Sequence, residues 1–420
     1  MRALAGFACA PTQSLCRGTD GWIATGRKKY CETRRRGRVA GAAARCATSR
    51  RQSKAWMMTA AGGSVAPSLQ DTVAGLVKSG SLSESYAAVL AQWHGSYQSA
   101  ALESGMFKRA EDGAPDAEAV RQFTDKMFGT LLKLVAKQMK DPYPFESYHK
   151  MLVEPFDYYS FGVQFARPLV DFANSQILGM ENLQRAAQQL ASGENVIFFA
   201  NHQSEGDPHA VDVLLAELAG LPDLAQNMIF MAGDRVREDP LVVPFSLGRN
   251  LLTVYSKKHI NDVPELRSQK QNHNRRTIVE TQNLLAQGGK CIWFAPSGGR
   301  DRRSAATRKV EVAPFDPDAI EMMRLTAMKA AGKPTHFYTM ALATYALLPP
   351  PDTVDKALGE ARVVKFTPLK LAVGSEIDLA TCVPEEEAKS LDKHQLRVAR
   401  AAKITEITAL DYAVIGGYEQ

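Results

Sequence analysis

The chain is 420 residues long, 45% hydrophobic and 23% charged, an ordinary globular balance with enough length to bury a core without disulfide staples. Its formal charge of +6 points towards nucleic acid until the charge is located. Residues 1–60 hold 13 Lys or Arg against only Asp20 and Glu32, a surplus of +11, which leaves the rest of the chain at −5 and argues against a nucleic-acid partner for the body.

Residues 1–60 are rich in Arg, Ala, Gly, Ser and Thr and contain no apolar core segment of the kind a secretory signal needs. This composition predicts a disordered transit peptide for a plastid or mitochondrion, with cleavage between about Ser53 and Ala66. A basic nucleic-acid-binding arm is the competing reading. Cys9, Cys16, Cys31 and Cys46 lie in the same segment, leaving Cys291 and Cys382 in the body. Two isolated cysteines form neither a disulfide framework nor a zinc spacing, which fits a reducing compartment. No apolar run reaches the roughly 18 residues of a membrane span. The longest, Phe337–Leu348, contains two Thr and reads as a buried strand.

From 67 to 140 apolar residues recur at three- and four-residue spacing, as in Val73-Ala74-Leu76-Val77 and Met127-Leu131-Leu132-Leu134-Val135. This predicts a small helical-bundle domain. Asp141-Pro142-Tyr143-Pro144 breaks it. From 145 to 420 β-rich runs alternate with amphipathic stretches. Strands are expected at Asn195–Ala200, Asn227–Ala232, Leu251–Tyr255, Lys290–Ala295, Thr335–Ala341 and Arg362–Leu371. Helices are expected at Pro208–Leu218, Pro264–Ala286, Pro317–Ala331 and Pro384–Ala409. The fold class is therefore α/β, with a largely parallel mixed sheet flanked by helices beside the smaller N-terminal helical domain. In such sheets a site forms where strands end and loops begin.

Three strand-end loops carry chemistry. In the first, Phe198-Phe199-Ala200 runs into Asn201-His202-Gln203-Ser204-Glu205-Gly206-Asp207-Pro208-His209. His202 and Asp207 are five apart, too far to share a helix face but able to meet across a strand–turn–helix joint. A carboxylate on one imidazole nitrogen leaves the other as a base, and a substrate hydroxyl can then act as nucleophile. Asp207-Pro208 also suits an N-cap followed by Pro at the first helical position. His209 reads as structural. A metal held by His202, Asp207 and His209 matches no common zinc spacing. The second loop is Tyr255-Ser256-Lys257-Lys258-His259. The third is Phe294-Ala295-Pro296-Ser297-Gly298-Gly299-Arg300-Asp301-Arg302-Arg303, whose glycines allow close backbone approach and whose Arg pair suits a phosphate. Each cationic loop alone reads as a solvated turn. Together with a His/Asp pair they read as a site.

The Asn201–Pro208 loop resembles the H-x4-D motif of the glycerolipid acyltransferases. Gly233-Asp234-Arg235 and Phe294–Arg302 resemble that superfamily's next two motifs. With Glu154–Tyr159, Asp239–Leu252, Tyr255–His259 and Ser297–Arg302, the stretch from about Asp141 to Phe366 resembles the soluble plastid glycerol-3-phosphate acyltransferases. The sequence departs from that pattern at Ser204 and Gly206, where Thr and Ala are expected, and after Arg303, where an Ala-rich stretch replaces Pro and Asp. The resemblance implies acyl transfer from acyl-carrier protein, or acyl-CoA in its place, to the 1-hydroxyl of glycerol 3-phosphate, giving lysophosphatidate in the plastid stroma. It implies His202 as general base, Asp207 as its partner, and Lys258, His259, Arg300 and Arg302 as phosphate ligands. Backbone N–H groups at the helix start after Pro208 are expected to stabilise the oxyanion. The reaction calls for no metal and no redox cofactor, and peripheral contact with a membrane surface stays open. An acyl-thioester hydrolase, a non-catalytic phosphate- or carrier-binding subunit and an acyltransferase acting on lysophosphatidate are the alternatives.

Overall fold

The computed structural model describes residues 69–80, 82–109, 111–256, 260–351 and 360–417. The basic segment 1–60, its cleavage region, and the Lys258 and His259 assignments lie outside them.

The first three helices are α1 (Leu69–Lys78), α2 (Glu84–Glu103) and α3 (Ala117–Lys140). Start signals are written in the sequence: the Ser83 hydroxyl accepts from the Tyr86 N–H, and the Asp116 carboxylate from the Ala119 N–H. On α3, Val120, Thr124, Met127, Phe128, Leu131, Leu132 and Val135 are buried, which is one stripe at helical spacing.

The chain then enters β1 (Tyr148–His149), α4 (Tyr158–Ala166), β2 (Gln176–Leu178), α5 (Met180–Ala191), β3 (Asn195–Ala200) and α6 (Asp207–Glu217). It continues through β4 (Ile229–Ala232), β5 (Asn250–Thr253), α7 (Arg267–Gln287), β6 (Cys291–Phe294), α8 (Pro317–Lys329), β7 (Thr335–Ala343), β8 (Lys370–Glu376) and α9 (Lys393–Val414). Among the described residues these strands form one eight-stranded sheet in the order β1-β5-β4-β6-β3-β7-β8-β2. Pairings from β5 across to β7 are parallel, as is β8 with β2. The antiparallel pairs are β1 with β5 and β7 with β8.

All six residues of β3 are buried, as expected of a central strand covered on both faces. Alternation sorts them: Val196, Phe198 and Ala200 join one core, and Ile197 and Phe199 the other. The first core extends without a break into α2, α3 and α4, where Trp93 meets Phe128 at 5.5 Å and Phe165 at 5.3 Å between ring centroids. The second is closed by α7, α8 and α9.

Three details differ from the sequence reading. The strand expected over Arg362–Leu371 begins at Lys370; before it the chain makes no ladder, only a single bridge, Thr367 to Val170, among the described residues. Arg362 is held there by carboxylates, and Pro368 has no N–H to offer a ladder. The helix expected over Pro384–Ala409 breaks at Leu391, because Asp392 and Gln395 form a capping box that starts α9 afresh. The apolar run to Leu348 leaves the sheet at Ala343, where Gln203 Oε1 takes the N–H groups of Thr344 and Tyr345 and turns the chain into a 3-10 turn, Tyr345–Leu347. No helix among the described residues is long and apolar enough to cross a membrane.

Candidate active site

Because β3, β4, β5 and β6 are parallel, their carboxyl ends open on one edge of the sheet, and the polar loops collect there. Asn201, the first residue past β3, behaves like one more strand residue. Its Oδ1 accepts from the Leu342 N–H at 2.7 Å and its Nδ2 donates to the Leu342 carbonyl at 3.0 Å. This fixes the direction in which the next residue, His202, leaves the sheet.

His202 Nδ1 lies 2.8 Å from Asp207 Oδ2. A carboxylate can only accept, so Nδ1 carries a proton, and in the neutral ring Nε2 is the nitrogen with the lone pair. Asp207 is fully buried and also accepts from the Gln203 N–H at 2.7 Å, the Ser204 N–H at 3.2 Å and the Thr344 hydroxyl at 2.6 Å. Four donors thus fix one carboxylate, and the imidazole it orients is 26% exposed. Trp293 of β6 meets the His202 ring edge-on at 5.7 Å. Asp207 is the first residue of α6 and Pro208 the second. The carboxylate serves the preceding turn rather than capping the helix.

The helix start does not supply an oxyanion site as expected. The N–H groups of Asp207, His209 and Ala210 already bond to Ser204 and Gly206 carbonyls, and Pro208 has none. His209 packs its ring at a right angle on Phe245 and against Gly162, where an added Cβ would sit 2.5 Å from Nε2. Burial, then Arg249, holds its pKa well below the usual histidine range, so it stays neutral.

The loop after β6 is tied to the His202 loop through Asp301, a residue that the sequence reading passed over. Its N–H donates to the His202 carbonyl. Its carboxylate accepts from Asn201 Nδ2 at 2.8 Å, Gln203 Nε2 at 3.4 Å and the Ala313 N–H at 3.0 Å. Burial pushes the Asp301 carboxyl up to about 6, against these hydrogen bonds. Its neighbours Arg300 and Arg302 are thereby held beside the His202 loop. Arg300 Nη2 donates to Glu360 at 2.9 Å, and Arg302 Nη1 donates to the Pro351 carbonyl. Burial and then Arg300 lower the Arg302 pKa, as expected of packed like charges.

Arg235, just past β4, also reaches Glu360, at 3.2 Å. Arg362 donates to Glu205 at 3.0 Å and Asp239 at 2.9 Å. The structure therefore brings His202 with Asp207, and Arg300 with Arg302, onto one edge, and adds Arg235, Arg362, Glu205 and Glu360. Arg235 had a signal in Gly233-Asp234-Arg235; Glu360 and Arg362 had none. Beside Glu205 and Gly206 opens a shallow apolar cleft lined by Trp93, Phe165, His209, Phe245, Leu347 and Val364.

Comparison with known proteins identifies the family. Residues 175–343, which contain the His202 and Arg300 loops, match the Acyltransferase family model. The glycerol-3-phosphate acyltransferase, chloroplastic, of Arabidopsis thaliana is 39% identical over 331 residues, covering 77% of this chain and 69% of that protein. The chain belongs to the chloroplastic glycerol-3-phosphate acyltransferase family. The protein of that name from Pisum sativum is 40% identical over 327 residues, or 76% of this chain and 68% of the relative. That from Spinacia oleracea is 45% identical over 265 residues, so the match spans 62% of this chain and 56% of the spinach protein. The segments Glu154–Tyr159 and Asp239–Leu252 meet in a structural seam. Gly248 lies so close to α4 that a Cβ would fall 2.5 Å from the Tyr158 carbonyl oxygen, and Arg249 pairs with Asp212 of α6 in full burial.

Proposed function

We propose that this chain transfers a fatty acyl group from a thioester carrier to the sn-1 hydroxyl of glycerol 3-phosphate, giving lysophosphatidate. The observation that carries the reading is the buried, four-fold bonded Asp207 on His202 Nδ1, beside loops bearing Arg300, Arg302 and Arg235. The relatives' shared name supports the substrate.

His202 Nε2 takes the hydroxyl proton as the oxygen attacks the thioester carbonyl. The tetrahedral oxyanion collapses with loss of the carbon–sulfur bond, and the thiolate leaves with the proton from the imidazolium. Asp207 holds the ring in the tautomer that keeps Nε2 basic and stabilises the imidazolium. Arg300 and Arg302, with Lys258 and His259, grip the phosphate and so bring the hydroxyl to the base. The fatty chain lies in the apolar cleft beside Gly206. These steps need neither a metal nor a redox cofactor. The donor is acyl-carrier protein, with acyl-CoA as substitute. The basic segment 1–60 directs the chain to the plastid stroma.

The test is incubation with acyl-carrier protein bearing a labelled acyl group, with and without glycerol 3-phosphate. Labelled lysophosphatidate formed only with glycerol 3-phosphate is expected. Free fatty acid released equally without it would make the chain a hydrolase, and an unconsumed donor would make it a binding subunit.

A further inference from the structure

Four guanidinium groups, from Arg235, Arg300, Arg302 and Arg362, stand at the rim of the site, and the carboxylates of Glu205, Asp239 and Glu360 face them. The carboxylates are not equivalent. Asp239 and Glu205 clamp Arg362, which is 2% exposed and stacks over Trp93 at 5.6 Å, and Glu205 also lies 3.7 Å from Arg300 Nη1, outside hydrogen-bond range. Burial opposes the Arg362 charge, but Glu205 and Asp239 outweigh it and raise its pKa. This pairing supports the backbone near the apolar cleft.

Glu360 does something else. A single oxygen, Oε2, receives both Arg300 Nη2 at 2.9 Å and Arg235 Nη1 at 3.2 Å. Arg300 comes from the loop after β6 and Arg235 from the loop after β4, so this oxygen sits where two strand-end loops converge. Its carboxylate is 6% exposed. Arg302 lies close enough to Glu360 for their charges to interact. One anionic oxygen held by two guanidinium forks is the arrangement a phosphate oxygen would take.

We propose that the Glu360 carboxylate occupies the phosphate seat, and that a phosphate monoester reaches Arg235 and Arg300 by displacing it. Glu360 is then a specificity-determining residue. A dianion with three acceptor oxygens can replace one carboxylate oxygen with a net gain, whereas a monoanionic carboxylate such as glycerate offers the arginines nothing that Glu360 does not. The proposal rests on the reading that these cations bind the phosphate of glycerol 3-phosphate.

Titration calorimetry without acyl donor tests it apart from catalysis. Inorganic phosphate and glycerol 3-phosphate are titrated into the full chain, its Glu360→Gln and Glu360→Ala variants, and Glu360→Gln combined with Arg300→Ala. Loss of the competing charge should tighten both ligands about tenfold in each single variant. Glycerate, too weak to displace Glu360, should gain measurable binding in the variants. The gain should vanish when Arg300 is also replaced. Unchanged or weaker phosphate binding in variants whose melting matches the parent would overturn the proposal and make Glu360 a clamp that positions Arg300. A gain that survives Arg300→Ala would also overturn it. Failure of the parent chain to make lysophosphatidate, with the phosphate results as expected, would instead count against the functional reading alone.

Discussion

Replacing Asp207 by Asn keeps the size of the side chain and removes its charge. The carboxylate accepts from His202 Nδ1, the Gln203 and Ser204 N–H groups and the Thr344 hydroxyl. An Asn has one accepting oxygen. If that oxygen faces His202 and Gln203, its NH2 confronts the Ser204 N–H, and one buried donor without a partner costs about 1–3 kcal/mol of stability. If the amide flips, its NH2 faces His202, the ring proton moves to Nε2, and the base is lost. The charge effect can be sized as well. At a charge separation of about 4 Å and an effective dielectric of about 20, the carboxylate stabilises the imidazolium by about 4 kcal/mol, or roughly a thousandfold in rate. His202 is partly exposed, and solvent screening reduces this, so Asp207→Asn should lower kcat about 100- to 1,000-fold. The assay is initial rate at saturating glycerol 3-phosphate and acylated acyl-carrier protein, with a melting curve to establish folding. A folded variant that keeps kcat within about threefold of the parent would refute the assignment of Asp207 as the orienting partner.

Arg300→Ala should raise the KM for glycerol 3-phosphate about 10- to 100-fold while changing kcat by less, because a phosphate grip contributes to binding before and during reaction alike; steady-state kinetics read the split. Asp301 gives a pH signature. Its folded pKa of about 6 lies above the unfolded value of about 3.9, so the native state holds its proton more tightly. Its contribution to stability is complete below about pH 4 and is lost as pH rises towards 6, by about 3 kcal/mol in all. Asp301→Asn should therefore remove a decline in urea-unfolding free energy between pH 4 and 6 that the parent shows. Asp212→Ala should cost about 3–5 kcal/mol, since it strands the buried Arg249 guanidinium, whose Nε and Nη2 already lack hydrogen-bond partners among the described residues. Asp212→Leu with Arg249→Met should cost much less in the same denaturation assay.

The central strands and the His202–Asp207 pair were legible because each is local. Six buried residues in a row name β3, and a His and an Asp five apart on one turn can meet only within that turn. The ends of β7 and β8 were not legible. Gln203 Oε1 draws the chain out of β7 from 141 residues away, and Arg362 holds its stretch by carboxylates contributed from distant loops. The same reason hid Glu360, whose role depends on two arginines 60 and 125 positions earlier in the chain. Nothing local in the sequence marks Asp301; its burial follows from Asn201 and Gln203, not from its neighbours in sequence. The helix start looked ready to receive an oxyanion because sequence does not reveal that a Ser204–Gly206 turn uses those N–H groups first. The β1 and β2 pieces, two and three residues long, carry no period at all.

The central claim is that His202 Nε2 removes the proton from the glycerol 3-phosphate hydroxyl. Single-turnover acyl transfer by His202→Ala, with glycerol 3-phosphate binding measured on the same preparation, tests it most directly. Transfer should fall by at least about a thousandfold with the fold retained and with glycerol 3-phosphate still bound. Transfer within about tenfold of the parent would contradict the account and place the base elsewhere.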